Sequence, residues 1–158
     1  MFEEEKTRIA IATGIEPEDI EHIGSTAVPG LGAKPILDIM VAVLSLADGE
    51  SYIRPLQTIG YEYRGELGVS GRIFFRKGEP RSHHLHMAER EGRFWEEHVL
   101  FRDYLRIHGE AVRQYDELKR WLMTVFPSNI PAYGEGKSHF INSTITKAHA
   151  ERHSSQLG

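Results

Sequence analysis

The chain has 158 residues, a formal net charge of −4 and 40% hydrophobic residues, which suits one globular domain that buries about 70% of its unfolded surface. The acidic balance argues against broad nucleic-acid binding, which needs a basic face to neutralise phosphates. The absence of cysteine excludes disulfides and thiolate catalysis and fits a reducing, cytoplasmic setting; the acidic opening MFEEEKTR is unlike a leader, and no apolar run approaches the ~18 residues of a membrane span.

Phe2–Thr13 reads as a helix whose first-turn acids complement its dipole. A turn over 14–19 leads to a short apolar strand, Ile20–Ile23, ending at Gly24-Ser25. Glycine lets the backbone approach a ligand closely there, and serine adds a hydroxyl and an N–H. Val28-Pro29-Gly30 and Gly32 make a stiff turn, and Lys34-Pro35 delivers the chain extended into a strand over 36–44. Residues 46–58 read as a helix starting near Ser45 or Asp48 and stopped at Gly60. A short strand over 61–64 and a glycine-rich loop over 65–71 follow. Next come strands at Arg72–Lys77 and 82–89, joined by a turn over 78–81.

The remainder is helical: 93–108, 110–126 and 131–153, with breaks at Gly109 and 127–131 and a frayed end over 154–158. Val112, Tyr115, Leu118, Leu122 and Val125 recur at the spacing of one helix face. Strands before residue 90 and helices after it argue an α+β fold, a mixed sheet with helices covering one face. The expected organisation is a single domain over 1–158, with a sheet region at about 1–90 and a helical region at about 91–153.

Asp38 interrupts an apolar strand, and an ionised carboxylate there is costly unless it is paired or bound to a cation. Alternation puts Leu37, Ile39, Val41 and Val43 on one face and Asp38, Met40 and Ala42 on the other. By the same rule Ile73 and Phe75 oppose Arg72, Phe74 and Arg76, while Leu85 and Met87 oppose His84 and His86. If the apolar sets face the helices, Asp38, Arg72, Arg76, His84 and His86 collect on one side of the sheet, as a site requires. Blander readings stand beside this one. Asp38 could be an ion-pair partner of Arg72, the histidines a solvated face, Ser25 a cap and Lys34 an exposed loop residue. The glycines at 24–32 match neither a P-loop nor a dinucleotide fingerprint, because a strand follows where a helix is required.

The segments HIGSTAVPGL and AKPILDIMV, with RIFF, HHLHM, FRDYL, Tyr115 with Lys119 and Tyr133 with Lys137, resemble the GrpB family over roughly the whole chain. That family is a branch of the nucleotidyltransferase-fold superfamily, related to the polymerase-β palm. The superfamily pattern is a Gly-Ser turn followed by two acids in alternate positions on a strand. Gly24-Ser25 and Asp38 match, whereas Met40 stands where the second acid is expected. No second acid stands out on the right face: Glu89 falls on the parity of Leu85 and Met87, while Glu62 and Glu66 stay open as alternatives, in or beside the glycine-rich loop.

The resemblance implies metal-dependent nucleotidyl or phosphoryl transfer to a small molecule. Asp38, Arg72 and His86 are the catalytic candidates. Gly24, Ser25, Lys34, Arg102, Lys119 and Lys137 are the substrate-binding ones, and Asp38, His84 and His86 the metal ligands. One carboxylate with two imidazoles favours Mn²⁺ or Zn²⁺ over Mg²⁺ as the divalent cation. Two other readings stay open: a non-catalytic module that binds a nucleotide or CoA-type ligand or steadies a partner, and a metal-dependent hydrolase. Either way the expected ligand is a phosphate-bearing small molecule, with neither a membrane nor duplex nucleic acid as partner.

Overall fold

The structure, a computed structural model, describes residues 2–31, 36–66 and 71–157. Among them the helices are α1 (Phe2–Thr13), α2 (Glu50–Thr58), α3 (Arg93–Ile107), α4 (Gly109–Val125) and α5 (Ile130–Leu157). The strands are β1 (Ile20–Ile23), β2 (Leu37–Val43), β3 (Glu62–Tyr63), β4 (Arg72–Lys77) and β5 (His83–Glu89). They form one mixed sheet in the order β1-β2-β5-β4-β3. β2 and β5 run parallel, and the other neighbours are antiparallel. A parallel pair needs a crossover, and the segment between β2 and β5 that carries α2 and the β3–β4 pair supplies it.

The chain divides into two compact units, residues 1–27 with 33–98 and residues 28–32 with 99–158. The division falls inside α3, later than the change of character that the sequence places near residue 90. No helix among the described residues is long and apolar enough to cross a membrane.

In the first unit the apolar parity sets do face helices. Leu37, Ile39, Val41 and Val43 of β2, Phe75 of β4 and Leu85 and Met87 of β5 pack with Ile9 of α1 and Leu56 of α2. The helix expected over 46–58 starts instead as a 3₁₀ turn, Leu46–Gly49, capped by Ser45, whose hydroxyl accepts the Ala47 N–H at 3.3 Å. α1 brings one charge into this core. Glu5 has 0% exposure and accepts bonds from Lys77 Nζ (2.6 Å), the Tyr61 hydroxyl (2.8 Å) and Arg8 (2.9 Å).

The core of the second unit is Val28, Leu31, Leu105 and Tyr115, with Phe140 stacked on Tyr115 at 5.1 Å. Gly136 lets α5 lie close to α4, because a Cβ there would fall 2.5 Å from Leu122 Cδ2. Tyr115 and Leu122 are buried as the helical spacing predicts, but Val125, at the last turn of α4, is 45% exposed. α5 continues to Leu157 rather than fraying from 154.

Candidate functional site

The face of the sheet opposite α1 and α2 carries the polar set. Register places Asp38 beside His84, and His86 between Met40 and Phe74. Asp38 Oδ1 lies 3.3 Å from His84 Nδ1 and 3.6 Å from His86 Nε2. His86 Nδ1 in turn lies 2.8 Å from Arg72 Nη1. A guanidinium only donates, so Nδ1 accepts, and neutral His86 carries its proton on Nε2, toward Asp38. The three candidate catalytic residues are therefore neighbours in the order carboxylate, imidazole, guanidinium: Arg72 hydrogen-bonds His86, whose Nε2 faces the Asp38 carboxylate at 3.6 Å. The direct Asp38–Arg72 pair considered from the sequence does not form. Burial alone would raise the Asp38 carboxyl, but hydrogen bonds from His84 and His86 outweigh it and hold the group at about 2. Burial pushes His86 down, Arg72 adds to that, and together they outweigh the upward pull of Asp38.

Gly24 explains why the strand before this site ends in glycine. Its φ is +76°, and a Cβ would lie 2.5 Å from Asp38 Oδ2 and 2.9 Å from Asp38 Cβ. The turn thus leaves room for the carboxylate.

Arg72 is 8% exposed, and burial lowers its pKa. Its guanidinium lies 4.6 Å from the centre of the Phe74 ring, and Nε donates to the Glu66 carbonyl at 3.3 Å. Among the described residues no carboxylate pairs with it, and Nη2 has no partner. No buried side-chain nitrogen or oxygen among them lacks a partner, so Nη2 is open to solvent. It opens onto a cleft of about 1260 Å³ that Arg72 lines together with Phe94 and His98 of α3. Arg76, on the same strand face, is engaged by Glu62 at 3.1 Å.

His98 was not among the candidates read from the sequence. Its Nδ1 lies 2.8 Å from the Phe94 carbonyl, which only accepts, so Nδ1 holds the proton and Nε2 keeps a lone pair. Nε2 has no partner and by the same reasoning is open to the cleft. The ring stacks on Phe94 at 4.1 Å and sits 6.4 Å from His86, and burial lowers its pKa. The one signal available in the sequence was an aromatic and a histidine four apart on a helix.

The metal set does not fit in this arrangement. Oδ1 of Asp38 already takes both imidazoles, and Arg72 donates to His86 Nδ1, so the proton sits on the nitrogen that would have to ligate. Among the described residues no group of three or more His, Asp or Glu side chains could hold a metal ion. Glu89 stays in register with Val43 and accepts the Leu46 N–H at 3.2 Å, so it supplies no second acid beside Asp38. Of the substrate-binding candidates, Lys34 and the side chain of Ser25 lie outside the described residues. Arg102, Lys119 and Lys137 belong to the second unit. There Arg102 pairs with Asp103 at 2.9 Å, while Lys119 and Lys137 lie over the Tyr115 and Tyr133 rings at 5.0 and 4.7 Å.

The family described as GrpB protein matches residues 1–147. The chain belongs to the GrpB family. Among its GrpB relatives, the glutamate-rich protein GrpB of Alkalihalophilus pseudofirmus is 33% identical over 153 residues, covering 93% of this chain and 88% of that protein. The UPF0157 protein YqkA of Bacillus subtilis is 40% identical over 148 residues, but the match covers 93% of this chain and only 43% of YqkA. A crystal structure of the conserved protein GrpB from Enterococcus faecalis superposes with a TM-score of 0.80 at 36% identity, covering 96% of this chain and 92% of that one. The mixed sheet with its helices is thus a GrpB fold.

In this GrpB-family chain the Asp38 carboxyl is lower than its ordinary 3.8, so its stabilisation is complete above about pH 4 and is lost as pH falls through about 2. Asp38→Asn is expected to cost about 2 kcal/mol at pH 7 and almost nothing relative to the parent near pH 2. Urea midpoints of the two proteins across that range check it; a gap that does not narrow in acid would mean that Asp38 is not held as a carboxylate.

Proposed function

We propose that this GrpB-family chain binds a phosphate-bearing small molecule at the Arg72 end of the cleft, without a metal at Asp38. The observation that carries the reading is Arg72 itself. It is a buried guanidinium with no carboxylate partner among the described residues and one donor nitrogen left open. Burying such a charge is costly, and an anionic ligand offsets the cost with charge-assisted bonds that suit phosphate geometry. Asp38 acts behind it: His86 orients Arg72 through its hydrogen bond, and the Asp38 carboxylate supplies negative charge at one remove, 3.6 Å from His86 Nε2.

Nucleotidyl transfer is the less favoured reading. It calls for paired carboxylates, and the second position is Met40, with 0% exposure. A CoA-type ligand belongs among those to test, since a dephospho-CoA kinase of Mycolicibacterium paratuberculosis is 25% identical over 167 residues, 41% of that protein.

Thermal denaturation with phosphate, pyrophosphate, nucleotides and CoA, all in EDTA, tests the proposal. A binding ligand at 100 times its Kd adds about 2.7 kcal/mol and raises the melting temperature by roughly 5–10 °C. Arg72→Met should abolish the shift. Silence from every phosphate compound, or a shift that survives in Arg72→Met, would refute the reading.

A further inference from the structure

Given an anion at Arg72, as proposed above, His98 narrows the ligand class. The His98 ring and the Arg72 guanidinium meet on one residue, His86. Arg72 Nη1 lies 2.8 Å from His86 Nδ1, and the His98 ring stacks toward His86 at 6.4 Å with 29° between the planes. Phe94 closes the group, 5.8 Å from His86 and 4.1 Å from His98. Strand register sets Arg72 and His86 on one face of the sheet, and α3 brings Phe94 and His98 against that same face. Each of the two outer side chains keeps one nitrogen open to the cleft. Nη2 of Arg72 only donates; Nε2 of His98, with the proton on Nδ1, only accepts. Burial, with the charge of Arg72 adding to it, lowers the His98 pKa against the upward pull of the Phe94 carbonyl, Glu97 and Asp38. His86, the other titratable ring against it, is lowered as well. His98 is therefore neutral at pH 7.5, with its lone pair available.

A charged donor beside a neutral acceptor sets two conditions at once. A fully ionised phosphate would satisfy Arg72 but turn an oxygen lone pair toward the lone pair of His98. A sulfate monoester or a phosphodiester carries a single charge and no acidic O–H, so the acceptor would stay desolvated and unpaired. A neutral alcohol would pair with His98 and leave the guanidinium without an anion. We infer that the site takes a phosphomonoester with one proton kept in the complex. The anionic oxygens face Arg72, and the proton lies between a phosphate oxygen and His98 Nε2. A monoester that arrives as the dianion takes that proton from solvent. Selection then falls on the proton: terminal phosphates are accepted, whereas internal phosphodiester links and sulfate esters are refused.

Calorimetric titration of the intact chain at pH 7.5 with ethyl phosphate and ethyl sulfate, in buffers of differing ionisation enthalpy, tests this. Free ethyl phosphate is mostly dianionic there, because the second pKa of such a group is about 6, so its binding should take up about one proton per site. Ethyl sulfate has the same shape and no proton to retain. It should bind at least about tenfold more weakly, with no uptake. His98→Phe keeps a ring against Phe94 and removes the acceptor; the uptake should vanish and the two anions should come within about twofold of each other. The proton count and the phosphate-to-sulfate ratio are read on the parent, so they decide the matter even if His98→Phe fails to fold. Ethyl sulfate matching ethyl phosphate, or ethyl phosphate binding without proton uptake, would overturn the inference and leave the anion site at Arg72 standing. So would an uptake unchanged in His98→Phe. No binding of ethyl phosphate, or binding that survives Arg72→Met, would overturn both.

Discussion

Glu5→Ala is expected to be the most damaging single change in the first unit, costing about 3–5 kcal/mol. Glu5 is wholly enclosed and gathers Lys77, Arg8 and the Tyr61 hydroxyl, with His83 Nε2 3.7 Å away. Removing the carboxylate strands the Lys77 ammonium, whose side chain is only 18% exposed. Replacing both partners by apolar groups, Glu5→Leu with Lys77→Met, should recover much of the loss, because neither charge is then left behind. Burial alone would raise the Glu5 carboxyl, but hydrogen bonds from Lys77, Tyr61 and Arg8 together bring it below its ordinary 4.5. Its stabilisation is therefore present above that value and lost as pH falls through the lower one in the fold. The Tyr61 hydroxyl is pushed up by burial and by Glu5, so it stays a donor throughout. Urea midpoints for the parent, both single variants and the double variant decide the matter. A double variant no more stable than Glu5→Ala would mean that packing, not charge, sets the cost.

Gly24→Ala comes next. The left-handed backbone costs a side chain roughly 1–2 kcal/mol, and forcing a methyl against the Asp38 carboxylate adds roughly 1–3 kcal/mol. Gly14 is a control at the same φ of +76°, with nothing within 4 Å of its hypothetical Cβ. Gly14→Ala should show the backbone cost alone, so the difference between the two variants isolates the collision. Because Asp38 must move, Gly24→Ala should also weaken phosphate binding at Arg72, which Gly14→Ala should not. Equal midpoints for the two variants would remove the steric explanation.

Strand parity was the most legible part of this chain, because a period of two leaves each side chain only one face to choose. It placed Asp38, Arg72, His84 and His86 together correctly, and it placed Glu89 away from them. Parity cannot say which nitrogen of an imidazole carries the proton. That is why the Arg72–His86 bond, and with it the misfit for a metal, was invisible in the sequence. His98 was hidden for another reason: it reaches the cleft from a helix, and helix–sheet packing is not written in local spacing. Glu5 reads with Glu3 and Glu4 as one of three first-turn acids matched to the helix dipole, and its partner Lys77 lies 72 positions away. Met40 was legible as a missing acid, although not as a wholly buried one.

Val28 and Leu31 sit in the hydrophobic core of the second unit beside Leu105 and Tyr115, although most of that unit lies beyond residue 98. The two units are consequently not interchangeable cassettes. A fragment ending at His98 would expose two large aliphatic side chains with nothing to cover them, and one starting at Val99 would lack part of its own interior. On the ribosome the segment around Val28 emerges more than 70 residues ahead of Leu105, so it must wait uncovered until the helices arrive. Recombination at the apparent border in α3 would yield proteins prone to clump, and a working chimera would have to carry residues 28–32 along with the helical half.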